Sequence, residues 1–150
     1  GADVVLVAGP VHLTTPRGVV RINVETAQQM HDAVMEGIHA CDIFVACAAV
    51  ADYQLETVAG NKIKKTKNEK LQLDLIPTLD IVSAVAGRSD KPFMIAANQV
   101  GENMGFAVDN NALQVFWSKG SQALPLTSKA QLARDLMTLI IERYDAKDST

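Results

Sequence analysis

The run Ile43-Phe44-Val45-Ala46-Cys47-Ala48-Ala49-Val50-Ala51 reaches its first charged residue only at Asp52. It opens with β-branched and aromatic residues, which predicts a buried strand. It ends in small residues, so another molecule can approach the backbone around Ala46, Cys47 and Ala48. Upstream, Val4-Val5-Leu6-Val7-Ala8 predicts a strand closed by Gly9-Pro10. After a loop over residues 14–18, residues 19–24 predict a second strand. Thr26 suits the N-cap of a helix whose apolar stripe is Ala27, Met30, Val34 and Ile38, ending near Ala40. Strand, helix and strand in this order predict a crossover in an α/β sheet.

Beyond Asp52 the pattern changes. Residues 62–66 and 70–76 flank the turn-like Lys67-Asn68-Glu69, and Leu71, Leu73 and Leu75 alternate with Gln72 and Asp74. This predicts a projecting β-hairpin with one apolar face, which must pack on its own domain or on a second subunit. Pro77-Thr78 should break the strand. Asp80 should open a helix through Ile81, Val82, Ala84 and Val85 that stops near Gly87. Residues 92–98 read as a strand and residues 100–108 as a glycine-containing loop. Asp109-Asn110-Asn111 is a turn signal before a strand over residues 112–117. Lys119-Gly120-Ser121 predicts a hairpin tip, with the return over residues 123–126. Ser128 and Gln131 form a capping-box pattern for a last helix, striped by Leu132, Leu136, Leu139 and Ile140 as far as about Tyr144. The polar tail over residues 145–150 should fray.

The 150 residues predict one domain with a real core. A net charge of −3 argues against a general nucleic-acid binder, and the lysines at 62, 64, 65, 67 and 70 are too local for a duplex footprint. No stretch is long and apolar enough for a membrane span, and the first residues lack the basic region of a signal peptide. Cys41 and Cys47 have neither zinc nor redox spacing, so free thiols and a cytoplasmic location are the simplest expectation. The three histidines are scattered, and no metal ligands are assigned. There is no Gly-x-Gly, no P-loop and no Gly-x-Ser-x-Gly elbow. Neither tyrosine is followed four residues later by lysine: Thr57 follows Tyr53 and Asp148 follows Tyr144. That removes a short-chain dehydrogenase.

A hydrophobic strand opening into small residues, then an acid at Asp52 and a lysine at Lys62, suits the sheet end where a nucleotide binds. A core strand followed by a solvated loop explains the same residues, and lysines on an edge that blocks aggregation explain the hairpin charges. Asp80 is an N-cap, or it marks a helix start facing a nucleotide. A capping carboxylate repels phosphate, so in that second role it would hold a hydroxyl or a metal-bound group.

Residues 46–53 followed by Lys62-Ile63-Lys64-Lys65 resemble the phosphopantothenate–cysteine ligase family, also called phosphopantothenoylcysteine synthetases. In bacteria these form the synthetase half of a bifunctional coenzyme A biosynthesis protein. Leu79-Asp80-Ile81-Val82 and Asp109-Asn110-Asn111-Ala112 match later family motifs in the same order. The resemblance implies a three-layer, Rossmann-like α/β fold forming a single synthetase domain over residues 1–150. It implies that Ala46, Cys47, Ala48, Asp52, Lys62, Leu79, Asp80, Ile81 and Val82 bind the nucleotide, with Lys62 also catalytic. The substrates implied are CTP with Mg²⁺, 4′-phosphopantothenate and cysteine. A homodimer and a fused decarboxylase domain are implied as partners, with FMN only in that decarboxylase half.

The chain departs from the family at three places. Thr78-Leu79-Asp80 stands where Asn-Pro-Asp is usual. The family's strand, Ser/Gly-rich phosphate loop and helix before the first strand do not appear. Between Met94 and Ile95 a strand ending in Gly-Phe-Ala-Ala-Glu-Thr and a two-lysine helix are absent, a segment of roughly two dozen residues. These gaps keep open a second expectation, an inactive nucleotide-binding or dimerisation fragment.

Overall fold

Met94-Ile95-Ala96-Ala97-Asn98 sits at the centre of the fold, and its period-two alternation sends side chains to opposite faces. Met94 and Ala96 join Leu113, Val115, Leu124, Leu132, Leu136 and Leu139 in one core cluster. Ile95 joins Ile38, Ile81 and Val85 in a second. One strand therefore feeds two hydrophobic layers. The chain is a mixed α/β, Rossmann-like domain with helices on both faces of its main sheet. The computed structural model describes residues 1–64, 70–98 and 109–147.

In chain order the elements are β1 (Val4–Ala8), β2 (Val19–Asn23), α1 (Ala27–Gly37), a 3₁₀ turn (Ile38–Ala40), β3 (Ile43–Ala46), β4 (Tyr53–Leu55), β5 (Leu75–Pro77), α2 (Ile81–Ala86), β6 (Met94–Asn98), β7 (Asn110–Trp117), β8 (Gly120–Ser128) and α3 (Lys129–Lys147). The main sheet has the order β3-β6-β7-β8. β3 runs parallel to β6, whereas β6–β7 and β7–β8 are antiparallel. β1 and β2 form a separate parallel pair, with α1 lying against β1.

Local chemistry explains the helix starts. Thr26 accepts from Gln29 N at 3.1 Å, and Gln29 Oε1 accepts from Thr26 N at 3.2 Å, so two otherwise orphaned donors are satisfied. Ser128 Oγ accepts from Gln131 N at 3.3 Å where β8 passes into α3. At the far end of α3, Arg143 stacks 4.8 Å over Trp117 and Tyr144 meets Phe93 edge-on at 6.2 Å.

Four expectations are corrected. The strand from Ile43 stops at Ala46 and is only half-buried, because β3 is an outer strand of its sheet; Cys47 lies just beyond it and is exposed. The arms of the antiparallel ribbon differ from those expected. Residues 62–64 and 71–74 carry no strand, and the turn over residues 67–69 and the rest of the first arm lie outside the described residues. β5 pairs instead with β4, matching Tyr53 with Pro77, Gln54 with Ile76 and Leu55 with Leu75. Pro77 thus belongs to a strand rather than breaking one, which a two-stranded ribbon permits because proline's absent N–H can face outward. Finally, Asn111 is a buried strand residue rather than a turn residue. The expected loop over residues 100–108 lies outside the described residues.

Candidate functional site

The C-terminal end of β3 opens into the segment 47–52. Val50 packs on the second core cluster and pins the middle of this segment. Its far end is held by Thr78, which follows β5. The Thr78 hydroxyl donates to the Ala51 carbonyl at 2.5 Å, and Thr78 N donates to the Asp52 carbonyl at 2.9 Å. These two bonds bring the start of α2 beside the segment. Two stretches far apart in sequence therefore meet here: the segment from Ala46 to Asp52, and Leu79 to Val82.

Within this group the side chains have different tasks. Asp80 is the N-cap of α2: Oδ1 accepts from Ser83 N at 2.9 Å and Oδ2 from Ser83 Oγ at 2.7 Å. The bonds from Ser83 hold its carboxyl below the usual carboxylate range. Ile81 is buried in the second cluster and Val82 packs against it, so their side chains serve the core and only their backbone is left to face a ligand. Leu79 is exposed. Ala46 is half-buried, and Cys47, Ala48 and Asp52 are exposed. The other thiol, Cys41, is half-buried, donates to the Ile43 carbonyl at 3.1 Å and is pushed up by burial.

Lys62 lies on an exposed irregular stretch between β4 and β5, and it makes no ion pair among the described residues. Lys64 is exposed on the same stretch, and Lys65 lies outside the described residues. Among the described residues, no group of three or more His, Cys, Asp or Glu is arranged to hold a metal ion. No described helix is long and apolar enough to cross a membrane.

Two contacts escaped the sequence reading. Thr78 stood out in the sequence as a strand breaker with Pro77 and as a departure from the usual family residue, yet it ties the two halves of the site together. Asn98 ends β6, and its Nδ2 donates to the Cys47 carbonyl at 3.0 Å, while its Oδ1 accepts from Asn111 Nδ2 at 2.8 Å. An amide ending a buried apolar strand was the available signal, because such a group needs partners.

Comparison with known proteins agrees with this architecture. The family described as DNA/pantothenate metabolism flavoprotein C-terminal domain matches residues 1–96 and 90–144. The coenzyme A biosynthesis bifunctional protein CoaBC of Vibrio cholerae is 43% identical over 95% of this chain and 43% of its own length. The protein of the same name from Haemophilus influenzae is 43% identical over 96% of this chain and 42% of its own length. The chain thus spans less than half the length of these curated relatives. Among solved structures, the C-terminal domain of a coenzyme A biosynthesis bifunctional protein CoaBC superposes with a TM-score of 0.66 at 27% identity, covering 97% of this chain and 78% of that one. The DNA/pantothenate metabolism flavoprotein from Streptococcus pneumoniae shares the fold, with a TM-score of 0.58 at 14% identity over 96% of this chain and 82% of that one. The family match runs through both core layers and the whole candidate site, and the chain belongs to the DNA/pantothenate metabolism flavoprotein C-terminal domain family.

Proposed function

We propose that this chain is the synthetase domain of a phosphopantothenate–cysteine ligase acting in coenzyme A biosynthesis with CTP as nucleotide. The observation that carries this reading is the meeting of Ala46 to Ala48, Asp52 and Leu79 to Val82 at one end of β3, fixed by the two Thr78 bonds. A strand end with small side chains offers its backbone to a base, which is how an open α/β sheet commonly receives a nucleotide. The relatives' names supply the pathway.

The reaction has two steps. A carboxylate oxygen of 4′-phosphopantothenate attacks the α-phosphorus of CTP; the bond to the β-phosphate breaks and pyrophosphate leaves. The cysteine amine then attacks the acyl carbon of the cytidylate; the bond to CMP breaks, the amide forms and the amine loses a proton. Activation is needed because a free carboxylate is a poor acyl donor. Ala46, Cys47 and Ala48 present backbone groups to the cytosine, Leu79 to Val82 form the opposite wall, and Asp52 contacts the nucleotide. Lys62 carries an ammonium with no ion-pair partner among the described residues, and it neutralises charge on the reacting phosphate. Mg²⁺ enters with the triphosphate and screens it.

The same reading gives a cytoplasmic enzyme fused to a decarboxylase domain that carries FMN. It also gives a homodimer, supported by the exposure of Leu71 (65%), Leu73 (58%) and Leu75 (58%). One observation favours a second reading, a nucleotide-binding and dimerising unit without turnover. β6 runs unbroken through Met94 and Ile95, where the family has a further strand and helix, and the two pieces of the family match overlap there. Comparing the mass of the expressed protein with 16.1 kDa separates the two: a match supports the second reading, a larger mass the first.

Nucleotide choice tests the proposal. With Mg²⁺ and nucleotide at about a hundred times the dissociation constant, CTP should raise the melting temperature by about 5–10 °C. ATP at the same concentration should do much less, because a purine does not match a backbone edge set for cytosine. Equal protection by both nucleotides overturns the assignment.

A further inference from the structure

Asn98 stands where the backbone ladder between β3 and β6 runs out. The last matched pair is Ala46 with Ala97, and one residue on, the Asn98 side chain takes over by donating to the Cys47 carbonyl at 3.0 Å. A carbonyl only accepts, so Nδ2 of Asn98 must face Cys47 and Oδ1 must face away. Oδ1 then requires a donor, and Asn111 supplies one at 2.8 Å. Asn111 is 7% exposed, and its own Oδ1 is buried without a partner among the described residues. A strand position that leaves a buried acceptor unpaired is unfavourable on stability grounds alone. Among the described residues, the bond its side chain makes is the one that holds the Asn98 amide in a single orientation.

That orientation also sets the other side of the same peptide. No cis bond occurs among the described residues, so the Cys47 carbonyl and the Ala48 N–H point in opposite directions across one planar unit. Drawing the Cys47 carbonyl toward β6 aims the Ala48 N–H off the open edge of β3, the outer strand of the sheet. We infer that Asn98 and Asn111 are positioning residues that fix the Cys47–Ala48 peptide so that the Ala48 N–H addresses an acceptor on the base of the bound nucleotide. The inference rests on the ligase reading and adds the device that fixes its nucleotide edge. Neither asparagine touches the reacting atoms. Both act through the peptide they orient, so their loss should weaken nucleotide binding and spare the cysteine step.

The test uses the full-length protein with Asn98→Ala, the near-isosteric Asn98→Asp and Asn111→Ala, measuring KM separately for CTP (with Mg²⁺) and for cysteine, together with the melting temperature. The Asn98 variants should raise KM for CTP about tenfold, the value of one oriented hydrogen bond, with KM for cysteine within twofold of wild type. Asn111→Ala should give the same pattern at smaller size, because Asn98 is then free to turn. Where Asn98→Ala does not fold, Asn98→Asp decides: it keeps the shape but sets an oxygen against the Cys47 carbonyl. If Asn98→Asp does not fold either, the pair is structural and the inference is overturned. CTP and cysteine KM values rising in parallel with a fall in melting temperature likewise mean a merely structural pair. Unchanged KM values in a wild-type background that CTP saturates overturn the positioning role alone. A wild-type protein that CTP does not saturate overturns the ligase reading itself.

Discussion

Thr78→Val removes one hydrogen-bond donor and almost nothing else. Valine keeps the β-branched shape and the backbone bond from residue 78 to Asp52, but the hydroxyl that donates to the Ala51 carbonyl at 2.5 Å is gone. Ala51 is exposed, so water takes over its carbonyl, and the net loss belongs near the middle of the usual range, about 1 kcal/mol. For a chain of this size that is a drop of about 2–4 °C in melting temperature. The functional loss should exceed the stability loss, because this bond holds the segment 47–52 against the start of α2. KM for CTP should rise several-fold, and Thr78→Ser, which keeps the donor, should restore most of it. Ser128→Ala is the control: it removes the α3 cap, lowers stability by about the same 1 kcal/mol, and should leave CTP binding alone. If Thr78→Val and Ser128→Ala lower the melting temperature equally and neither changes KM for CTP, the Thr78 contact is structural and the argument for a positioned loop is refuted.

Lys62→Gln should leave the fold within about 0.5 kcal/mol of wild type yet lower turnover by about 10²–10³-fold, measured as pyrophosphate release; near-normal turnover returns Lys62 to a solvated surface charge. The Asp80 carboxyl is held low in the folded chain by Ser83, so its stabilisation is complete above its ordinary value of 3.8 and is lost as pH falls through the lower folded value. Urea melts of wild type and Asp80→Asn should therefore differ by a constant amount above about pH 5, draw together as pH falls below 3.8, and converge only below the lower folded value; a difference independent of pH would show that the cap does not use the charge. Leu73→Glu, on an exposed apolar stretch, should turn a dimer seen by light scattering at micromolar concentration into a monomer without loss of secondary structure. A wild-type protein that is already monomeric refutes the interface.

What the sequence disclosed depended on how local the chemistry was. The Thr26–Gln29 box and the Ser128 cap of α3 involve residues within three positions of one another, and each was legible in the sequence; the hairpin after Trp117 was legible in place but not in register, since Ser118 and Lys119 form its turn and Gly120 and Ser121, expected at the tip, already belong to β8. The packed face of α3 was legible because its apolar stripe is regular: Leu132, Leu136 and Leu139 enter the core cluster and Ile140 packs against it. The ribbon was misassigned because the alternation of Leu71, Leu73 and Leu75 describes faces and says nothing about a partner. Leu75 to Pro77 pair with Tyr53 to Leu55, some twenty residues upstream, a choice no local pattern encodes. At the candidate site, Ala46 to Ala48 stood out through their small size. The contacts that set their geometry did not. Thr78, Asn98 and Asn111 each look like ordinary turn or strand-end residues until the fold brings Thr78 and Asn98 to backbone carbonyls on another segment and Asn111 to the Asn98 side chain.

The most direct test of the central claim is the product stoichiometry of the full-length protein supplied with CTP, Mg²⁺, 4′-phosphopantothenate and cysteine, quantified by liquid chromatography and mass spectrometry. An acyl cytidylate route predicts 4′-phosphopantothenoylcysteine, CMP and pyrophosphate in equal amounts, and no amide when CTP is left out. Amide accompanied by CDP and inorganic phosphate would contradict attack at the α-phosphorus, and nucleotide consumed with no amide would contradict the ligase assignment altogether.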